Sequence, residues 1–101
     1  MRNIEIEIQG EQVGGVIAIP ESGAGPGVIV IQEWWGLVPH IQGVVNRLAA
    51  AGFVALAVDH YRGALTTEPD EAQKLMMGLR VSAAAADLAG AAAYLVGRPE
   101  V

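Results

Sequence analysis

The sequence predicts an α/β fold in which an antiparallel hairpin leads into a parallel βαβ unit with covering helices, and three patterns carry that prediction. Ile4, Ile6 and Ile8 alternate with Glu5, Glu7 and Gln9, the period-two signature of a half-solvated strand. The stretches VIVIQ (28–32) and FVALAV (53–58) are apolar on both faces, as parallel strands under helices must be. Between them Ile41, Val44, Val45 and Leu48 recur at helical spacing.

In chain order, the alternating strand ends in QGEQ (9–12), which turns the chain into an antiparallel partner, VGGVIAIP (13–20), stopped by Pro20. ESGAGPG (21–27) is loop by composition. The third strand, 28–32, is followed by a helix with Pro39 in its first turn and Gly52 placed at C′ to end it. The strand 53–58 follows at once, and a right-handed crossover sets it parallel to the third. Residues 59–67 read as loop, and Thr67 and Asp70 have the spacing of a capping pair for a helix running to about Leu79. A last helix is expected to carry Val81, Ala85, Leu88, Ala92 and Leu95 on one side, among many small alanines, and to end at Gly97 and Pro99.

At 101 residues the chain makes one domain, 1–101, able to bury roughly two thirds of its unfolded surface. With 52% hydrophobic and 17% charged residues it is too apolar for disorder. Six Lys and Arg against eleven Asp and Glu give a net charge of −5 without a basic cluster, which argues against nucleic acid as a partner. No apolar run approaches the roughly 18 residues of a membrane span, and the start lacks a signal-peptide core, so a cytoplasmic location away from membranes is expected. There is no cysteine, hence no disulfide, thiolate metal site or thiol nucleophile.

Ligands of open parallel sheets bind beyond the carboxyl ends of the strands. Glu33 lies there after the third strand, and Asp59 and His60 after the fourth. A carboxylate ending a buried strand costs several kcal/mol unless it is paired, hydrogen-bonded or protonated. Glu33 therefore either accepts local backbone N–H groups or serves chemistry, and it is expected to be largely buried. Adjacent Trp34 and Trp35 point to different sides, one inward and one into a cleft. Asp59 reads as a brace of its own loop, and His60 and His40 as packing or surface histidines. A Glu33–Asp59 pair holding a hard cation has thin support, because no further oxygen ligands lie within sequence reach.

VIVIQEWWGL, GFVALAVDHYRG and DEAQKLMMGL…DLAGAAAYL together resemble the N-terminal part of the dienelactone hydrolase family, of the α/β-hydrolase fold, over essentially the whole chain. The pair Gln-Glu-x-x-Gly (32–36) and Asp-x-Tyr-Arg-Gly (59–63) carries the resemblance. It implies a carboxylic ester or lactone hydrolase without a cofactor, acting on a small molecule. Glu33 would reach the nucleophilic cysteine and hold or take its proton, the Trp34 backbone N–H would be half of the oxyanion hole, and Trp35 would wall the cleft. Tyr61 and Arg62 would touch substrate, with Arg80 a second candidate for the family's substrate-gripping arginine.

The resemblance stops short of the nucleophile. The family's Gly-x-Cys-x-Gly elbow belongs on the next strand, its Asp and His come later, and the sequence reads GRPEV (97–101) where that strand is expected to begin. Neither Ser22 nor Ser82 sits on such an elbow. The expectation is an N-terminal portion of a hydrolase domain, inactive alone, whose third strand forms an edge. Residues 28–32 offer no Lys, Pro or charge against edge pairing, so self-association is expected there. The alternative is a stand-alone, non-catalytic α/β module that binds or self-associates.

Overall fold

The computed structural model describes residues Met1–Val101. Strands β1 (Arg2–Ile8), β2 (Glu11–Ala18), β3 (Gly27–Val30) and β4 (Val54–Val58) form one sheet in the order β1-β2-β4-β3. β1 and β2 pair antiparallel, β2 pairs antiparallel with β4, and β3 pairs parallel with β4. Helices α1 (Pro39–Ala50), α2 (Pro69–Gly78) and α3 (Val81–Val96) complete the chain. This is the hairpin-plus-βαβ arrangement the patterns predict.

The hairpin is tighter than expected. Ile8 pairs with Glu11 across a two-residue turn in which Gln9 and Gly10 are both left-handed, so β2 starts two residues before Val13. β3 is shorter than expected: Gly27 to Val30 pair with Val54 to Ala57, and no strand flanks β3 on its outer side to carry the ladder further. Ile31, beyond the last pair, is 62% exposed.

Alternation along β2 and β4 gives the sheet two different faces. Val13 and Ile17 of β2 and Val54, Leu56 and Val58 of β4 join Ile6 and Ile8 of β1 against Ala91 and Leu95 of α3. On the other face Val16, Ala18, Ala55 and Ala57 meet Ile41, Val45 and Ala49 of α1. Large sheet residues thus face a helix of small ones, and small sheet residues face the helix with larger ones, which fills both layers. α1 ends as its sequence predicts: Gly52 is left-handed (φ 103°), its N–H donates to the Ala49 carbonyl, and the Phe53 N–H donates to Leu48, so the last carbonyls are satisfied.

Two helical expectations need correction. The Thr67–Asp70 cap does not form; Glu68 is the N-cap residue, Pro69 opens α2, and the Glu68 N–H donates instead to the Thr66 hydroxyl at 3.0 Å. α3 is also rotated from the expected face. Its buried residues are Asp87, Ala91 and Leu95, whereas Val81 is 86% exposed and Ala85 and Ala92 are exposed too. The cause is an ion pair to Asp87, described below, and the seat of Gly90 against Ile8, where a Cβ would lie 2.6 Å from the isoleucine. α2 buries only Ala72 and meets α3 at 81°. No single helix is long and apolar enough to cross a membrane.

Candidate active site

Parallel pairing of β3 and β4 sets their following loops side by side at one rim of the sheet. The Gln32 side chain joins them, its carbonyl oxygen accepting the His60 N–H at 2.8 Å. A second tie runs from the Thr66 N–H to the Trp35 carbonyl at 3.1 Å.

The loop after β4 is braced throughout. Asp59 accepts the Tyr61 N–H on one carboxylate oxygen (3.0 Å) and the Gly63 N–H on the other (2.6 Å). That is the loop-bracing role read from the sequence. Arg62 takes a left-handed backbone (φ 55°), a conformation that costs a non-glycine residue about 1 kcal/mol or more. Its guanidinium makes two parallel bonds to Asp87 (2.9 and 3.0 Å), one to Glu11 (2.8 Å) and one to the Asp59 carbonyl (3.1 Å).

Asp87 is 2% exposed and also lies 2.9 Å from Nδ1 of the buried His60. Burial alone would push its carboxyl up, but the bonds from Arg62 and His60 outweigh that and hold it below the usual carboxylate range. The same pairing, led by the bond to Asp87, raises Arg62 above its ordinary value. An ionised Asp87 makes the facing Nδ1 a donor, which fixes the imidazole orientation. His60 is thus the packing histidine that was expected, with a specific partner. Burial raises the Tyr61 hydroxyl above its usual value.

The loop after β3 is the opposite. Glu33, expected to be largely buried, has a side chain 39% exposed, because the chain leaves the sheet after Val30 and turns at 33–36, where the Gly36 N–H bonds the Glu33 carbonyl at 3.0 Å. Its carboxylate has one neighbour of opposite potential charge, His40 Nε2 at 3.6 Å, itself 65% exposed. The Trp34 main-chain N–H has no hydrogen-bond partner within the chain. The two indoles meet edge to face with centroids 5.0 Å apart and line different hollows. Trp34 shares a cleft of about 220 Å³ with Ile31, Glu33, Tyr61, Met76 and Leu88. Trp35 shares one of about 420 Å³ with Glu33, Pro39, His40 and Thr66.

Glu33 borders both hollows, and Tyr61 is brought to the Trp34 side of it. Arg62, named from sequence as a substrate residue, does not line either hollow; its guanidinium is committed to Asp87, Glu11 and the Asp59 carbonyl. Arg80 is the N-cap residue of α3 and lines neither hollow. Sequence reasoning missed Asp87 and the bridging use of Gln32. A signal for the first was present: Asp87 is the sole charged residue in the otherwise apolar and small α3.

Residues 13–101 match the profile of the dienelactone hydrolase family. The protein named usf of Aquifex pyrophilus is 50% identical over 76 residues, which cover 72% of this chain and 32% of that protein. The solved structure named m3DLH superposes with a TM-score of 0.83 at 34% identity, covering 99% of this chain and 44% of its own. A dienelactone hydrolase-like promiscuous phosphotriesterase from metagenomic libraries gives a TM-score of 0.83 at 27% identity, with 99% and 44% coverage. The chain therefore spans about a third of the length of that curated relative and under half of those solved chains.

Proposed function

The chain belongs to the dienelactone hydrolase family, and on that premise we propose that it forms the N-terminal part of a carboxylic ester or lactone hydrolase, in which Glu33 partners the nucleophile and the Trp34 N–H is one oxyanion-hole donor. The observation that carries this reading is the pairing of an uncommitted carboxylate with an unpartnered backbone N–H on adjacent residues at the strand-end rim. The nucleophile is a cysteine thiol outside these 101 residues, since the sequence holds no cysteine. Glu33 takes or shares the thiol proton; the thiolate sulfur then bonds the ester carbonyl carbon, and the charge that develops on the carbonyl oxygen meets the Trp34 N–H. Collapse expels the alcohol and leaves a thioester for water to cleave. Trp34, Trp35 and Tyr61 wall the substrate, and Arg62 holds the loop that carries Tyr61.

The test joins this chain to the remainder of a family relative, from the nucleophile strand onward, and measures aryl acetate hydrolysis. The 101-residue chain alone is expected to give no turnover. The joined protein is expected to be active, and Glu33→Gln to lower its kcat/KM by roughly 100-fold. Steady turnover by the chain alone, or a joined Glu33→Gln protein as active as its parent, overturns the reading.

The open side of β3 favours a second reading, for the chain on its own. Val28, Ile29 and Val30 are only half-buried and β3 has one paired neighbour, so residues 28–32 of two copies would pair edge to edge. Sedimentation over a range of concentrations tests it, a persistent monomer being the contrary result.

A further inference from the structure

The peptide unit that carries the Trp34 N–H has the Glu33 carbonyl at its other end, and that carbonyl is held from two directions. The Gly36 N–H reaches it at 3.0 Å through the turn, and Nε2 of Gln32 reaches it at 3.5 Å. The other end of the same Gln32 amide accepts the His60 N–H at 2.8 Å, and the His60 ring is fixed on Asp87, which Arg62 grips with two bonds. We infer that Gln32 is a positioning residue, whose amide ties the Glu33–Trp34 peptide plane to the buried His60–Asp87–Arg62 cluster and so aims the Trp34 N–H.

The choice of side chain supports the inference. A primary amide places one acceptor and two donors on a single carbon, and this position uses an acceptor towards one loop and a donor towards the other. Glutamate at 32 would keep the acceptor, lose the donor and add a second carboxylate beside Glu33. Methionine would keep the length and lose both functions. Donors on a peptide carbonyl also polarise the unit, so bonds to the Glu33 oxygen make the Trp34 N–H a stronger donor. The aim of that N–H matters because an oxyanion-hole donor acts only at the position the developing oxyanion will occupy.

The inference rests on the hydrolase reading for its chemistry but not for its geometry, and the two are tested apart. In the 101-residue chain, Gln32→Met is expected to shift the amide resonances of both His60 and Trp34, and Asp87→Asn to shift that of Trp34 as well. A Trp34 resonance that stays in place while His60 moves overturns the link. In the joined protein, Gln32→Met and Gln32→Glu are each expected to lower kcat for an aryl acetate roughly tenfold with KM unchanged and the melting temperature close to the parent's. A purely structural Gln32 would instead lower stability and leave kcat in the folded enzyme alone, and that result overturns the positioning role. An inactive joined parent would count against the hydrolase reading, and the NMR comparison would then decide the Gln32 link.

Discussion

The loops that follow β3 and β4 leave neighbouring parallel strands at the same rim, yet they are held in opposite ways. The second turns its polar groups on itself and on α3: both Asp59 oxygens, the His60 ring and the Arg62 guanidinium have partners at 3.1 Å or less. In the first, the Glu33 carboxylate has no neighbour nearer than a 3.6 Å contact and the Trp34 N–H has no partner. The difference separates support from supply. A loop whose hydrogen bonds are satisfied internally stabilises the fold and holds its neighbour, whereas groups left unsatisfied at a rim remain available to a reactant.

The contrast breaks most visibly at Asp87. Asp87→Ala leaves the Arg62 charge and His60 without their buried partner and is expected to cost about 3–5 kcal/mol of unfolding free energy in urea titrations. A loss below about 1 kcal/mol would mean that the second loop is not braced through α3.

Acid should find the same bond. The Asp87 carboxyl is held below its ordinary value of 3.8, so its contribution is fully present above that pH and is lost as pH falls from there through the folded-state value. Urea midpoints measured between pH 7 and 3 are expected to stay level on this account down to about 4 and then to drop, and Asp87→Asn to flatten the drop. An equally steep fall in Asp87→Asn would assign the acid sensitivity to other carboxylates.

A smaller effect on folding, with a clear effect on assembly, is expected at the β3 edge. Ile29 packs against the α3-side core, so a lysine there would disturb folding as well as pairing. Ile31, 62% exposed, is the clean probe. Ile31→Lys is expected to move the chain towards monomer in sedimentation while leaving its unfolding midpoint nearly unchanged. The smallest change in stability belongs to Glu33→Gln, within about 0.5 kcal/mol, because this carboxylate is part-exposed and holds nothing in place. A large loss in thermal unfolding of Glu33→Gln would erase the distinction between the two loops.

The strands, their directions and α1 were legible because each rests on a local pattern: alternation for β1, apolar residues on both faces for β3 and β4, and Gly52 closing the helix. The neighbourhood of Glu33 with Tyr61 was legible from crossover geometry and resemblance. What was not legible depends on groups distant in sequence. Asp87 looks like a solvated charge until Arg62, 25 residues away, is seen to reach it, and with that pairing α3 buries Asp87 and Ala91 beside Leu95 and leaves Val81, Ala85 and Ala92 exposed. The expected burial of Glu33 failed for a similar reason, since it assumed that β3 continues to Gln32, and pairing with β4 ends two residues sooner. The cap at Thr67 does not form because α2 starts one residue later, with Glu68 as its N-cap residue and Pro69 opening it, a choice that hydrogen-bond spacing alone does not make.

At the far end of the sheet, away from the rim, backbone meets backbone. Gly25 lies so close to the Gly52 carbonyl that no side-chain carbon fits between them, and the Val54 N–H is bonded to the Pro26 carbonyl at 2.8 Å. For anyone grafting new sequence into this scaffold, that end is closed: inserting even one residue beside Gly25 or Gly52 would part the contact and break the register of β3 with β4. At the rim, Thr66 is buried with its N–H tied to the Trp35 carbonyl, and a Cβ on Gly36 would lie 2.6 Å from the Ala64 carbonyl oxygen, so room for added sequence begins only at exposed Thr67.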